Sequence, residues 1–357
     1  MSKFWNPFIH ELDPYVPGEQ PKDKTYIKLN TNENPFPPSP QVIQAIQQTA
    51  NGDLRLYPDP NADGLREKIA EVHRVKKEQV FVGNGSDEIL AFAFQTFFDP
   101  GQPILFPDIT YSFYKVYAKM FRVPYQTVPL LEDFRLPIEP FAQENGGIIF
   151  PNPNAPTGKV LPVEAIKEIL AHNRDRAVII DEAYIDFGGE SMIPYVQDYP
   201  NLLVIQTLSK SRSLAGLRVG FAIGSEELID GLQRVKNCFN SYTLDRLSLA
   251  GAIAAFSDEA YFHETREAII RTRSHVTEAL QGIGFQVIDS SANFIFISHP
   301  EIPAKDLFAK LKEAGVLVRY FNQPRIDNYL RVTIGLEEEM DVFLRIIMGL
   351  CENVQKG

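Results

Sequence analysis

From about Asn61 onward, short apolar runs alternate with stretches of helical period, a pattern that predicts a parallel sheet covered by helices. The runs that predict strands are Val80–Val82, Ile104–Phe106, Pro124–Val128, Ile148–Phe150, Val178–Ile180, Leu202–Ile205 and Val219–Ile223. Several are apolar at every position instead of alternating, as strands buried on both faces are. These seven runs predict one large sheet. Ahead of them, the first 50 residues carry turn signals at Asp13-Pro14, Asn34-Pro35 and Pro37-Pro38 and one helix-like stretch from Pro40 to Thr49, and read as an extended arm. After Leu244 the pattern stays helical to about Leu280, which predicts one long element leading out of the large unit. A smaller α+β unit follows, with strands expected at Phe285–Ile288, Phe294–Ile297, Leu317–Tyr320 and Leu330–Ile334 and helices near Ala304–Ala314 and Glu337–Cys351. The expected division is an arm with part of the small domain over 1–50, a large domain over 51–255 and a small C-terminal domain over 256–357.

Composition narrows the function classes. At 357 residues the chain exceeds the length at which one core stops growing, which agrees with two packed domains. With 44% hydrophobic and 23% charged residues it has the make-up of a folded globular protein. The net charge of -11 repels nucleic acid and anionic membranes, so an anionic ligand must be caught by a few placed arginines or helix N-termini. Cys238 and Cys351 lie far apart and supply neither a disulfide framework nor a CxxC pair, which fits a reducing compartment. Met1 to His10 has no basic segment followed by an apolar run, and no stretch reaches the ~18 apolar residues of a membrane span; a cytoplasmic protein is expected. The six histidines are scattered without metal-ligand spacing, and no metal site is expected.

Ligands of open α/β sheets bind beyond the carboxyl ends of the strands, so the polar residues that follow each apolar run are the candidates for chemistry. Val82 is followed by Gly83-Asn84-Gly85-Ser86-Asp87-Glu88 and a helix-like stretch from Ile89 to Phe98, with Ser86 or Asp87 expected to cap it. Small residues there leave backbone N–H groups open to a phosphate, although a plain capped turn has the same sequence. Glu88 stands where a dinucleotide fingerprint has its third glycine. Ile180 is followed by Asp181-Glu182-Ala183-Tyr184, and a carboxylate leaving a buried strand needs a cation or strong donors. A protonated pyridine nitrogen is one such partner; a salt bridge or a helix cap is the other reading. Lys210 follows Leu202–Ile205 within Thr207-Leu208-Ser209-Lys210-Ser211-Arg212, and Arg218 adds a fork suited to phosphate.

Three motifs in this order, Asn154-Ala155-Pro156-Thr157-Gly158, Asp181-Glu182-Ala183-Tyr184 and Ser209-Lys210 with Arg218, resemble the fold-type I pyridoxal-phosphate aminotransferases. Leu29-Asn30-Thr31-Asn32-Glu33-Asn34-Pro35, Tyr57-Pro58-Asp59-Pro60 and Leu214-Ala215-Gly216-Leu217-Arg218 narrow the resemblance to histidinol-phosphate aminotransferases. It implies a large cofactor-binding domain around a mostly parallel seven-stranded sheet and a smaller α+β domain. It also implies that pyridoxal 5'-phosphate bonds to Lys210, with Asp181 on the ring nitrogen, Asn154 and Tyr184 on the ring oxygen and Tyr111 against the ring face. Gly85, Ser86, Asp87, Ser209 and Arg218 would hold the phosphate, joined by Tyr57 of the other subunit of a homodimer. Arg331 would take the anionic end of the substrate, with Arg319, Tyr15 and Asn154 as further candidates. The implied reaction moves an amino group from L-histidinol phosphate to 2-oxoglutarate, giving imidazole acetol phosphate and glutamate; an aromatic amino acid aminotransferase and a phospho-amino-acid decarboxylase are the alternatives on this fold. Position 212 is often aromatic in relatives, so Arg212 is expected to leave an extra cation near the cofactor mouth.

Overall fold

The computed structural model describes residues 2–355. Its first regular elements are β1 (Ile27–Lys28), α1 (Pro40–Thr49), α2 (Asp63–His73), β2 (Val80–Asn84), α3 (Gly85–Phe97), β3 (Ile104–Pro107), α4 (Phe113–Met120) and β4 (Tyr125–Val128). Then come β5 (Ile148–Pro151), α5 (Val163–His172), β6 (Val178–Asp181), β7 (Leu202–Thr207), β8 (Val219–Gly224), α6 (Glu226–Phe239), α7 (Arg246–Ser257) and α8 (Glu259–Gly282). The chain ends with β9 (Gln286–Ile288), β10 (Phe294–Ser298), α9 (Ala304–Glu313), β11 (Val316–Leu317), β12 (Arg319–Tyr320), β13 (Leu330–Thr333) and α10 (Glu337–Gln355).

All seven expected runs pair into one sheet in the order β2-β8-β7-β6-β5-β3-β4. Only β8 runs antiparallel to its neighbours, β2 and β7. Side chains of successive strand residues point to opposite faces, and here both faces are covered. Val178 and Ile180 pack in one apolar cluster with Val204, Phe150 and Val82, while Ile179 packs in another with Ile149, Leu203 and Phe81. Double burial explains why the runs of the central strands are apolar throughout, whereas the edge strand β4 buries only Val128.

The small sheet has the order β12-β13-β10-β9 and is antiparallel. Its core gathers Ile295, Ile297, Val332, Leu307 and Phe343, and Leu29 from the N-terminal segment joins it where β1 pairs with β11. Two expectations are corrected. The single element expected from Leu244 to Leu280 is broken at Asp258, whose carboxylate accepts from Tyr261 N and caps α8; a side chain that bonds the backbone this way starts a new helix. The strand expected at Leu317–Tyr320 is two short ones parted at Val318, because β11 pairs with β1 and β12 with β13.

Candidate active site

The carboxyl ends of β6 and β7 and the loops after β2, β3 and β5 meet the small sheet around a cavity of about 240 Å³. Asp181 ends β6 and is buried at its floor. Its Oδ2 accepts from Tyr114 Oη at 3.0 Å and its Oδ1 from Ala183 N at 3.2 Å. Burial outweighs these donors and raises the carboxyl to about 6. The protein alone therefore leaves this carboxylate short of positive charge.

Lys210 lines the same cavity, its Nζ 3.4 Å from the carbonyl of Thr31. The loop that carries it is fixed from several sides. Asn34 Nδ2 donates to the carbonyls of Lys210 and Ser211, at 2.9 and 3.3 Å, and Ser211 Oγ donates to Asp186. Arg212 is not an extra cation at the mouth. Its guanidinium turns away to donate to the carbonyl of Ala255 and to Glu259, and stacks over Phe256 and Phe262 at 4.3 and 4.1 Å. An aromatic cage and a carboxylate under the lysine loop account for its direction.

Beside the lysine, Gly85, Ser86 and Asp87 form the first turn of α3 rather than its cap. Asn84 occupies the cap position but its side chain donates to the carbonyl of Thr243 at 3.2 Å and makes no capping bond, and Glu88 instead reaches back to accept from Asn84 N at 2.7 Å. The first-turn N–H groups are thus left to a ligand. Gly85 has φ +77°, and a Cβ there would stand 2.6 Å from Arg218 Nη2. Arg218 donates to Asp87 Oδ2 at 3.1 Å, and Tyr111 donates to Asp87 Oδ1 at 2.8 Å. Ser209, Arg218 and Tyr111 also line the cavity.

At the opposite end Arg319 and Arg331 are directly paired residues of β12 and β13, and both line the cavity with Tyr15 and Phe321. Arg331 Nη2 donates to the carbonyl of Asn30 at 3.1 Å, while its buried Nε has no partner. Burial, reinforced by Arg319, lowers its pKa. Tyr15 stacks on Phe113 at 4.3 Å. Tyr57 is not brought to this cavity; it is 78% exposed and stacks on Tyr242.

The family model "Aminotransferase class I and II" matches residues 24–347. The chain belongs to this family. Among curated relatives, the histidinol-phosphate aminotransferase of Clostridium acetobutylicum is 60% identical, with 96% of this chain and 98% of the relative covered. Histidinol-phosphate aminotransferase 1 of Hydrogenovibrio crunogenus is 58% identical over 98% of each chain. The fold is also that of the crystal structure of the histidinol-phosphate aminotransferase from Sinorhizobium meliloti in complex with pyridoxal-5'-phosphate, with a TM-score of 0.88 at 24% identity over 98% of this chain and 99% of that one.

In an aminotransferase of this kind the residues can be tested against pyridoxal phosphate, and they fit. A protonated ring nitrogen would supply the charge that Asp181 lacks, and a phosphate would suit the uncapped turn that Gly85 keeps open beside Arg218. Asn154, buried beside the cavity, donates Nδ2 to the carbonyl of Ile109 and to Thr157 Oγ1, leaving its Oδ1 as a buried acceptor without a donor. Tyr184 Oη accepts from Asn32 Nδ2 at 2.9 Å, so its own proton is free for a ring oxygen. Tyr114 escaped the sequence reading, and Asn32 and Asn34 entered it only as part of the motif Leu29–Pro35, with no role of their own. Tyr114 lies three residues beyond Tyr111, and two asparagines within Asn32–Asn34 are a signal for backbone-holding side chains.

Proposed function

We propose that the chain transfers the amino group of L-histidinol phosphate to 2-oxoglutarate, giving imidazole acetol phosphate and glutamate in histidine biosynthesis, with pyridoxal 5'-phosphate as cofactor. The observation that carries the reading is the facing pair Arg319 and Arg331 at the far end of the Asp181–Lys210 cavity, in a chain 60% identical to a histidinol-phosphate aminotransferase. Two adjacent guanidinium groups match a phosphate monoester, and the same pair can take the carboxylate of the acceptor.

Bound here, pyridoxal phosphate supplies an aldehyde carbon that takes up the amino group and a ring that accepts electrons from the substrate carbon. Asp181 would keep the ring nitrogen protonated, and its buried position makes that ion pair strong. Lys210 Nζ, released when the substrate amine takes its place, would carry the proton between substrate carbon and cofactor carbon. Tyr111 would cover the ring face, Asn154 and Tyr184 would hold the ring oxygen, and Gly85, Ser86, Asp87, Ser209 and Arg218 would hold the phosphate.

A cytoplasmic homodimer belongs to the same reading. Leu54, Leu56, Tyr57, Phe239 and Tyr242 are exposed apolar side chains, and a two-fold partner would both cover them and receive Tyr57 at its cofactor phosphate.

Steady-state rates with histidinol phosphate, phenylalanine and tyrosine as donors test the substrate. The highest kcat/KM is expected for histidinol phosphate; a preference for phenylalanine or tyrosine would assign the cavity to aromatic amino acids, for which Tyr15 and Phe321 also offer an apolar wall.

A further inference from the structure

Between β12 and β13 the chain runs through an irregular loop, residues 321–329, of which Phe321, Gln323 and Ile326 line the cavity at its substrate end. On its own side, the guanidinium groups of Arg319 and Arg331 lie over the Phe321 ring at 5.8 and 5.7 Å, Asn328 Oδ1 accepts from Ala304 N at 3.0 Å, and Tyr329 stacks on Phe296 at 4.7 Å. The middle of the loop, Arg325 and Ile326, is attached across the seam. Arg325 Nη1 donates to Asp108 Oδ2 at 3.0 Å, and Arg325 Nη2 donates to the carbonyls of Leu130 and Leu131 at 2.8 and 3.0 Å. Next to it, Ile326 is buried in an apolar cluster with Ile109, Leu130 and Phe134 from the large-sheet side and Ile288 and Phe296 from the small sheet.

Backbone conformation marks the same spot. Arg325 has φ +72° and Phe134, in the turn that faces it, has φ +64°. Residues with side chains hold such angles less readily than glycine, and they persist where surrounding contacts impose them. Phe134 packs its ring edge-on against Phe296 and Tyr329 at 5.9 and 5.3 Å. The two strained residues therefore brace opposite sides of one seam.

The partner of Arg325 leads onward to the cofactor side. Asp108 Oδ1 accepts from Ile109 N at 2.8 Å and from Leu130 N at 2.9 Å. The carbonyl of Ile109 accepts from Asn154 Nδ2 at 3.1 Å, and Tyr111 follows two residues later. One chain of hydrogen bonds thus runs from the substrate wall to residues placed around the cofactor ring.

We infer that Arg325 is a positioning residue for the substrates of transamination: it pins the 321–329 loop to Asp108 and the Leu130–Leu131 backbone, and so sets the wall formed by Phe321, Gln323 and Ile326. Its guanidinium touches neither reacting atoms nor the proposed cofactor contacts. The inference rests on the cavity being an aminotransferase site and holds whichever amino donor is used. Removing the guanidinium frees the wall, which weakens substrate binding and leaves the floor around Asp181 and Lys210 in place.

The test uses the holoenzyme and the half-reaction with L-glutamate, followed by the change in cofactor absorbance, which does not depend on histidinol phosphate being the donor. Arg325→Ala is expected to raise the half-saturating glutamate concentration about tenfold while the limiting rate and the affinity of the apoenzyme for pyridoxal phosphate stay within about twofold. Arg325→Gly relieves the backbone angle but lacks the guanidinium, and is expected to show the same increase. Arg325→Lys, which can still reach Asp108, should recover a good part of the loss, and Asp108→Asn should add little when Arg325 is already alanine. Unchanged half-saturation in both the alanine and glycine variants would overturn the inference, as would an equal fall in limiting rate and cofactor affinity without rescue by lysine. A wild type that is inert toward glutamate would instead count against the aminotransferase reading itself.

Discussion

The two sides of the cavity are built by different means. On the large-sheet side, β5, β6 and β7 are parallel, buried along their length, and deliver polar residues at their carboxyl ends. On the small-sheet side, β11 and β12 have two residues each, and much of the wall is the 321–329 loop and the N-terminal segment Asn30–Asn32. A buried parallel sheet is rigid without further help, so its strand ends can hold a charge such as Asp181 that the interior disfavours. The opposite wall gets part of its shape from contacts made across the seam. Chemistry is expected to depend on the first side and substrate choice on the second.

Asp181→Asn should break that division most visibly. Turnover is expected to fall roughly 100-fold or more, because the amide cannot hold a ring nitrogen charged. The apoprotein should respond in the opposite sense. Burial raises the Asp181 carboxyl to about 6 in the fold, above the ~3.9 of an unfolded chain. Folded protein therefore binds the proton more tightly, and the ionised carboxylate destabilises the fold fully above pH 6, less as pH falls through 6, and not at all below the unfolded value. At pH 8 the asparagine variant of the apoprotein should be more stable than wild type by up to about 3 kcal/mol, as urea unfolding would show. Equal stabilities would mean that Asp181 has a cationic partner within the chain.

Arg331→Lys sharpens the other half of the comparison. One ammonium cannot reproduce the guanidinium fork, and kcat/KM for histidinol phosphate and for 2-oxoglutarate should each fall by about 2 kcal/mol, roughly 30-fold. Unphosphorylated histidinol should lose much less; equal losses for histidinol and its phosphate would remove Arg331 from phosphate binding. A smaller effect is expected for Asn34→Ala, which crosses the division because an N-terminal residue holds the backbone of Lys210 and Ser211. The limiting rate should drop about tenfold, the scale of one such hydrogen bond, with donor KM little changed. A rise in KM alone would place Asn34 on the substrate side.

The same contrast explains what could be read from the sequence. Runs apolar at every position disclosed the central strands of the large sheet, since burial on both faces leaves no other pattern, while the edge strand β4 has Tyr125, Gln126 and Thr127 exposed. The polar residues after those runs, among them Ser86, Asp181 and Lys210, line one cavity. The break at Asp258 was hidden because a capping aspartate inside a long helical pattern reads as one more surface residue. Leu317–Tyr320 read as one strand because a short apolar run does not say which partners it will pair with. Arg325 and Asp108 are 217 residues apart, and no local pattern joins them. Arg212 was misplaced for the same reason, its aromatic and acidic neighbours being supplied by α7 and α8.

The most direct test of the whole arrangement is to treat the holoenzyme with borohydride, which fixes the cofactor to the amine that holds it, and to map the modified peptide. The account predicts a single modified peptide per chain, the one containing Lys210, and its loss in Lys210→Ala together with turnover. Cofactor fixed to another lysine, or wild-type turnover in the alanine variant, would contradict the assignment of this cavity as the place where the amino group is transferred.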